Sequence, residues 1–327
     1  MGIKRWWHRM IVGLLAVLLG LSGMVTAMAA SDGLLIDPDQ DGSLTIYFGR
    51  DGQHFSGVEF YLYRIADVSP QGAFTITKEF ANYPVSLDDL ETESDVRALA
   101  STLDAYIKRD NVKPLYTDET GSDGWARFPV LSTGLYLVCG EEYDDGEQIY
   151  SVMPTLICLP AGTSGDWDYD LTLLSKYEVR ESTGETIRRR VLKVWDDDGN
   201  EASRPNYIVV QLLGNGEVVD TVVLSEQNNW EYTWEELDET VLWQVVERNV
   251  SDGYTVTVVQ EGITFVVTNT KPPVEPGPSP SVPPDQPWLP QTGMLQWPVL
   301  ALVGAGGLLV VIGLVVVVRT RSDDDEK

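Results

Sequence analysis

Between residues 186 and 270 the chain is broken at short intervals by Asp198-Gly199-Asn200, Gly214-Asn215-Gly216, Asn228-Asn229 and Asp252-Gly253. Gly, Asn and Asp reverse a backbone cheaply, because they tolerate left-handed φ or hydrogen-bond their own turn. The segments between them are too short for long helices and are rich in Val, Thr, Tyr and Trp. About seven strands fit, which predicts a compact β-sandwich over 186–270.

A second β-rich stretch lies ahead of it, over residues 31–176. Leu44-Thr45-Ile46-Tyr47-Phe48 and Gly57-Val58-Glu59-Phe60-Tyr61-Leu62-Tyr63-Arg64 read as strands. Gly134-Leu135-Tyr136-Leu137-Val138-Cys139 and Thr155-Leu156-Ile157-Cys158 follow, with the acidic turn Asp144-Asp145-Gly146 between them. Val96, Leu99, Leu103, Tyr106 and Ile107 recur at helical spacing behind the capping candidates Thr92 and Ser94. That spacing predicts one helix, over about residues 94–109, inserted in a β domain. The expected fold class is therefore all-β, with two sandwiches in tandem and a helical insertion in the first.

Composition removes several functions. Twenty-three Lys and Arg face 50 Asp and Glu, a net charge of −27. Such a field repels a phosphate polyanion, so no nucleic-acid partner is expected. Two His and two Cys leave too few parts for zinc sites, Cys–His dyads or Ser–His–Asp triads. Asp37, Asp39, Asp41 and Gly42 imitate the start of a calcium loop, but Phe48 stands where the closing Glu belongs. Neither metal nor cofactor is expected. Acidic runs such as Asp196-Asp197-Asp198 and Asp88-Asp89 sit in turn-like contexts and read as solvated side chains. No pair of carboxylates marks a hydrolase site, and the chain is not expected to be an enzyme.

The ends carry an address. Lys4, Arg5 and Arg9 precede an apolar run over 10–25, and Ala27-Met28-Ala29 supplies small residues for cleavage, so residues 1–29 read as a signal peptide. Residues 271–288 are dense in Pro and predict a stiff extended spacer. Leu289-Pro290-Gln291-Thr292-Gly293 precedes an apolar span over 294–318 and then Arg319-Thr320-Arg321. Such a span can cross a bilayer, with the arginines left in the cytoplasm. Together, residues 289–327 resemble the cell-wall sorting signal of Gram-positive surface proteins. The resemblance implies cleavage by a sortase between Thr292 and Gly293, and transfer of the Thr292 carbonyl to an amine on peptidoglycan or on a neighbouring subunit. It places the mature protein outside the cell, covalently on the wall, with the membrane a partner only before sorting.

Lys193-Val194-Trp195, Arg204-Pro205, Asn229-Trp230-Glu231-Tyr232, Trp243-Gln244-Val245-Val246-Glu247 and Phe265-Val266-Val267-Thr268-Asn269-Thr270 resemble the Cna protein B-type repeat. That family is an Ig-like sandwich with inverted strand topology, used as a stalk or pilin module. The first domain resembles the amino-terminal domain of Gram-positive pilins. Trp167, Leu171, Leu173 and Lys176 match the spacing of the pilin motif, while Leu174-Ser175 stands where that motif has Tyr-Pro. The resemblance offers Lys176 as the amine that links subunits; the alternative is an interdomain surface lysine. The expected function is thus a pilin-like structural subunit, with a monomeric wall-anchored adhesin as the other reading.

Strand parity adds a site. Side chains two apart share a face, so Lys193 joins Val191 and Trp195, Glu247 joins Trp243 and Val245, and Asn269 joins Phe265 and Val267. An amine, an acid and an amide therefore fall on core-facing positions, where such groups need partners. An isopeptide bond between Lys193 and Asn269, promoted by Glu247, accounts for all three, and the resemblance assigns those roles to the matching residues. An ordinary buried Lys193–Glu247 ion pair with Asn269 beside it is the alternative. Cys139 and Cys158 fall on neighbouring strands, where a disulfide and two buried thiols are equally compatible with the sequence.

Overall fold

The computed structural model describes residues 35–272, apart from Asp89, Ser164, Gly165 and Gly199. The signal peptide, the sorting pentapeptide with Thr292 and Gly293, and the apolar span lie outside the described residues, as does the Pro-rich spacer beyond its first two residues. Among the described residues no helix is long and apolar enough to cross a membrane.

The first part of the chain opens with β1 (Gly42–Tyr47), β2 (Gly49–Arg50), β3 (Gln53–His54), β4 (Glu59–Val68) and β5 (Phe74–Ile76). Helix α1 (Glu93–Asp110) comes next, then β6 (Tyr116–Glu119), β7 (Trp125–Leu131), β8 (Gly134–Gly140), β9 (Glu142–Asp144) and β10 (Gln148–Val152). It closes with β11 (Thr155–Leu159), β12 (Ala161–Thr163), β13 (Asp166–Asp168), β14 (Asp170–Leu174) and β15 (Tyr177–Glu181). The sheet β14-β1-β7 packs on the sheet β11-β8-β4-β5, to which β6 adds alongside β4. Strand β8 is buried along nearly its whole length because both of its faces are covered. Tyr136 and Val138 point into the core against Leu44, Ile46 and Phe60, while Leu135, Leu137 and Cys139 pack against Leu99, Leu103 and Ile107 of α1. The strand pairing continues to Glu181, where β15 lies on β10, five residues past the sequence boundary at 176.

Helix α1 starts where the capping pattern predicts. Thr92 accepts from the Asp95 backbone N–H while Asp95 accepts from the Thr92 backbone N–H, a reciprocal cap. Its far end stops at Asn111 in the left-handed region, a conformation that a short polar side chain tolerates. The apolar stripe is wider than one face, and residues 98–107 are buried almost all round except Ser101. The second face is explained by the second sandwich.

That sandwich has seven strands, as the turn residues predict: β16 (Thr186–Asp196), β17 (Tyr207–Gly214), β18 (Glu217–Ser225), β19 (Glu231–Asp238), β20 (Trp243–Glu247), β21 (Thr255–Glu261) and β22 (Thr264–Thr270). One sheet runs β19-β16-β22-β21 and the other β18-β17-β20, with β16 and β22 parallel. Val191, Leu212, Val245, Phe265 and Val267 fill the space between them.

Strands β20 and β21 are edges, and an uncovered edge leaves backbone groups without partners. Helix α1 and the segment before it cover both. The Val256 N–H donates to Pro84 O at 2.7 Å, and the Val258 N–H donates to Thr102 Oγ1 at 2.8 Å. The Tyr106 hydroxyl donates to Glu247 O at 2.9 Å, and Gln244 Nε2 donates to Asp104 Oδ2 at 2.8 Å. Tyr106 also joins the core of the second sandwich with Val245 and Val256. The helix is therefore shared: one face closes the first sandwich and the other seals the second.

Candidate functional site

Lys193, Glu247 and Asn269 meet inside the second sandwich. They are 5%, 1% and 0% exposed, so the parity reading places all three on the inner faces as the structure does. Lys193 and Asn269 sit on the adjacent parallel strands β16 and β22, Lys193 opposite Val267 and Asn269 opposite Trp195. Glu247 reaches them from β20 in the opposing sheet.

The hydrogen bonding around the trio is specific. Asn269 Nδ2 donates to Glu247 Oε1 at 3.1 Å. Glu247 Oε2 and Asn269 Oδ1, both buried, lack hydrogen-bond partners. A proton on Oε2 turns that atom into a donor toward the one group of the pair that still needs one, which gives the neutral acid a reason to persist. Lys193 Nζ donates to Val194 O at 2.6 Å and to Val267 O at 3.3 Å, and lies 4.0 Å from the centroid of the Trp195 ring. Two carbonyls use both hydrogens of a neutral amine. The hydrogen bonds of the Lys193 amine thus go to backbone carbonyls, and the Glu247 carboxyl is held by Asn269.

Burial governs the charge state of both groups. It pushes the Lys193 amine down, to about 7, against the opposing pull of the Glu247 and Asp197 charges. It pushes the Glu247 carboxyl up, to about 7, against the Lys193 charge and the Asn269 hydrogen bond. A nucleophilic amine beside a protonated acid and a primary amide is an arrangement for acyl transfer.

One sequence expectation needs correction, and one open pair of alternatives resolves. Asp197, in the run read as solvated, is 1% exposed. Its carboxylate accepts from Arg204 Nε and Nη2 at 2.9 and 2.5 Å and from the Tyr254 hydroxyl at 2.8 Å. Arg204 and then Tyr254 hold that carboxyl below its usual range. The guanidinium seven residues later was the available signal. Cys139 and Cys158 are free thiols. The β8–β11 register sets Cys158 opposite Leu135, four residues along from Cys139. At ~3.4 Å per residue the gap is about 14 Å, well beyond disulfide reach. Burial raises both thiols, Cys158 to about 12.

Lys176 lies in the connection between β14 and β15 with 55% of its side chain exposed. Its Nζ pairs with Glu93 Oε1 at 3.1 Å, at the start of α1. Among the described residues of the first sandwich the buried polar groups are Thr102, Asp104, Thr120, Thr133 and Ser151, with no lysine among them. No group of His, Cys, Asp or Glu among the described residues is arranged to hold a metal.

The fold and the trio define the class of the second sandwich: an Ig-like module with a buried Lys–Glu–Asn site. Residues 189–270 match the Cna protein B-type domain. The collagen adhesin of Staphylococcus aureus is 28% identical over 229 residues, which is 64% of this chain but 17% of that protein. The chain therefore spans under a fifth of the length of this curated relative. Among solved structures, a single B repeat unit of the Staphylococcus aureus collagen binding surface protein is 20% identical, covering 71% of this chain and 99% of that one, with a TM-score of 0.26. The full-length major pilin SpaD of Corynebacterium diphtheriae is 15% identical, covering 72% of this chain and 65% of that one, with a TM-score of 0.29.

Proposed function

We propose that this chain is a pilin-like structural subunit of a Gram-positive cell surface, held to the wall by sortase transfer at Thr292 and stiffened by an isopeptide bond between Lys193 and Asn269. The observation that supports the bond most directly is the burial of the trio with Asn269 Nδ2 on Glu247 Oε1 at 3.1 Å. In the reaction, the neutral Lys193 amine attacks the Asn269 side-chain carbonyl carbon while Glu247 donates its proton to Oδ1. The Nζ–Cγ bond forms and the Cγ–Nδ2 bond breaks. Glu247 takes a proton from the amine and passes one to the leaving nitrogen, which departs as ammonia, and Oδ1 returns its proton to Glu247 as the carbonyl re-forms. Atoms balance with Glu247 regenerated and no external reactant consumed. The product has no rotatable alternative inside the core and ties the first strand of the sandwich to its last.

Wall attachment is supported by the pentapeptide, span and arginines in order. Thr292→Ala should move the protein from the purified wall fraction to membrane or medium. A mutant that still fractionates with the wall ends this part of the reading. The second reading, a monomeric adhesin, is favoured by the likeness to the collagen adhesin and by Leu174-Ser175 in place of Tyr-Pro. A covalent high-mass ladder in wall extracts decides for the subunit; its absence decides for the adhesin.

A further inference from the structure

We propose that Tyr106 of the first sandwich is a positioning residue for the crosslink of the second, so that the bond forms only once α1 has docked. The inference rests on the Lys193–Asn269 reading above. Glu247 is the last residue of β20, and on its inner side the strand is held by β17, through the Val210 pairing and the Arg248 N–H donating to Val209 O at 2.8 Å. On its outer side the Glu247 carbonyl accepts the Tyr106 hydroxyl at 2.9 Å, a contact between residues 141 apart in sequence. A strand end gripped on one side only can tilt about that grip, and the carboxyl of Glu247 would swing with it. Acyl transfer is sensitive to such displacement because its reacting atoms must be held near attack distance.

Tyr106 also keeps the site dry. Its ring is buried in the core of the second sandwich, tilted against Tyr83 at 5.4 Å between centroids. Burial first, and the Glu247 charge second, hold its hydroxyl well above its ordinary range, so it remains a donor. The remaining surroundings of Glu247 are Lys193 from β16, with Asp197 and Arg204 acting on that lysine, the Asn269 amide from β22 and Val210 from β17. The second sandwich therefore lacks part of its own site until the first is in place, and the crosslink records a correctly assembled pair of domains.

The test uses the full chain, isolated unlinked in denaturant and refolded into buffers across a range of pH. Linked molecules are counted by peptide mass mapping of Lys193 joined to Asn269, per folded molecule from tryptophan fluorescence. Tyr106→Phe, which keeps the ring, should link roughly tenfold more slowly, a change of ~1.4 kcal/mol in the barrier. The alkaline limb of its rate profile should also move to lower pH, because a wetter Glu247 loses its proton sooner. Thr102→Val removes the neighbouring contact to β21 and should keep the parental rate. Parental rate and profile in Tyr106→Phe overturn Tyr106 as the positioning residue, as does equal slowing by both variants, which would place the effect in the loss of any α1 contact and not in the hydroxyl on Glu247 O. A parental chain that folds without losing ammonia sinks the crosslink reading itself.

Discussion

Asn269 Nδ2 sits 3.1 Å from Glu247 Oε1 in a place where neither residue is more than 1% exposed. The contact joins the two sheets at the level where Lys193 enters from the strand beside Asn269, and it makes the first prediction sharp.

Intact-mass measurement of the folded chain should fall short of the sequence mass by one ammonia, and Glu247→Gln should restore the full mass. The bond would close a loop between residues 193 and 269, which by chain entropy is on the order of 4 kcal/mol. At about 4–8 °C per kcal/mol for a domain the size of the second sandwich, Glu247→Gln should lower the melting temperature by roughly 20 °C. A full, undiminished mass for the parent ends the proposal.

The rate of bond formation should peak near neutral pH. The reactive pair needs Lys193 without its proton and Glu247 with one. Lys193 is held down to about 7, so acidification protonates it and slows the reaction. Glu247 is held up to about 7, so alkaline conditions ionise it and slow the reaction as well. Refolding at stepped pH with mass detection checks both limbs; a rate that climbs steadily with pH would exclude Glu247 as the acid.

Lys176→Arg keeps a cation for Glu93 but removes the acceptor amine. The wall-extract ladder should vanish in that variant while folding and wall attachment persist. An unchanged ladder eliminates this lysine as the linkage.

Neither cysteine should react with thiol reagents in the folded chain, because burial disfavours both thiolates. Two thiols should titrate after denaturation, even for protein prepared under oxidising conditions. A folded chain two hydrogens lighter at Cys139 and Cys158 would contradict the strand register.

Much of this architecture is local and so is readable along the chain. The turns at Gly214-Asn215-Gly216 and Asp252-Gly253 delimit strands, and the cap at Thr92 starts α1 one residue before the predicted span. Period-two alternation put Lys193, Glu247 and Asn269 on inner faces without knowledge of which strands pair, because a side chain two positions away always shares a face.

The sequence by itself determined those short-range features: seven strands, one helix and three polar groups turned inward. Tertiary structure alone decided what depends on partners distant in the chain. Asp197 is buried rather than solvated because Tyr254, 57 residues on, joins the nearby Arg204 in satisfying it. Cys139 and Cys158 stay apart because register, which alternation does not encode, offsets them by four residues. Tyr106 lies on a helix face whose spacing says only that it is apolar. That its hydroxyl ends on the Glu247 carbonyl follows from how two sandwiches close on one helix, since periodicity along a chain specifies a face but not what will cover it.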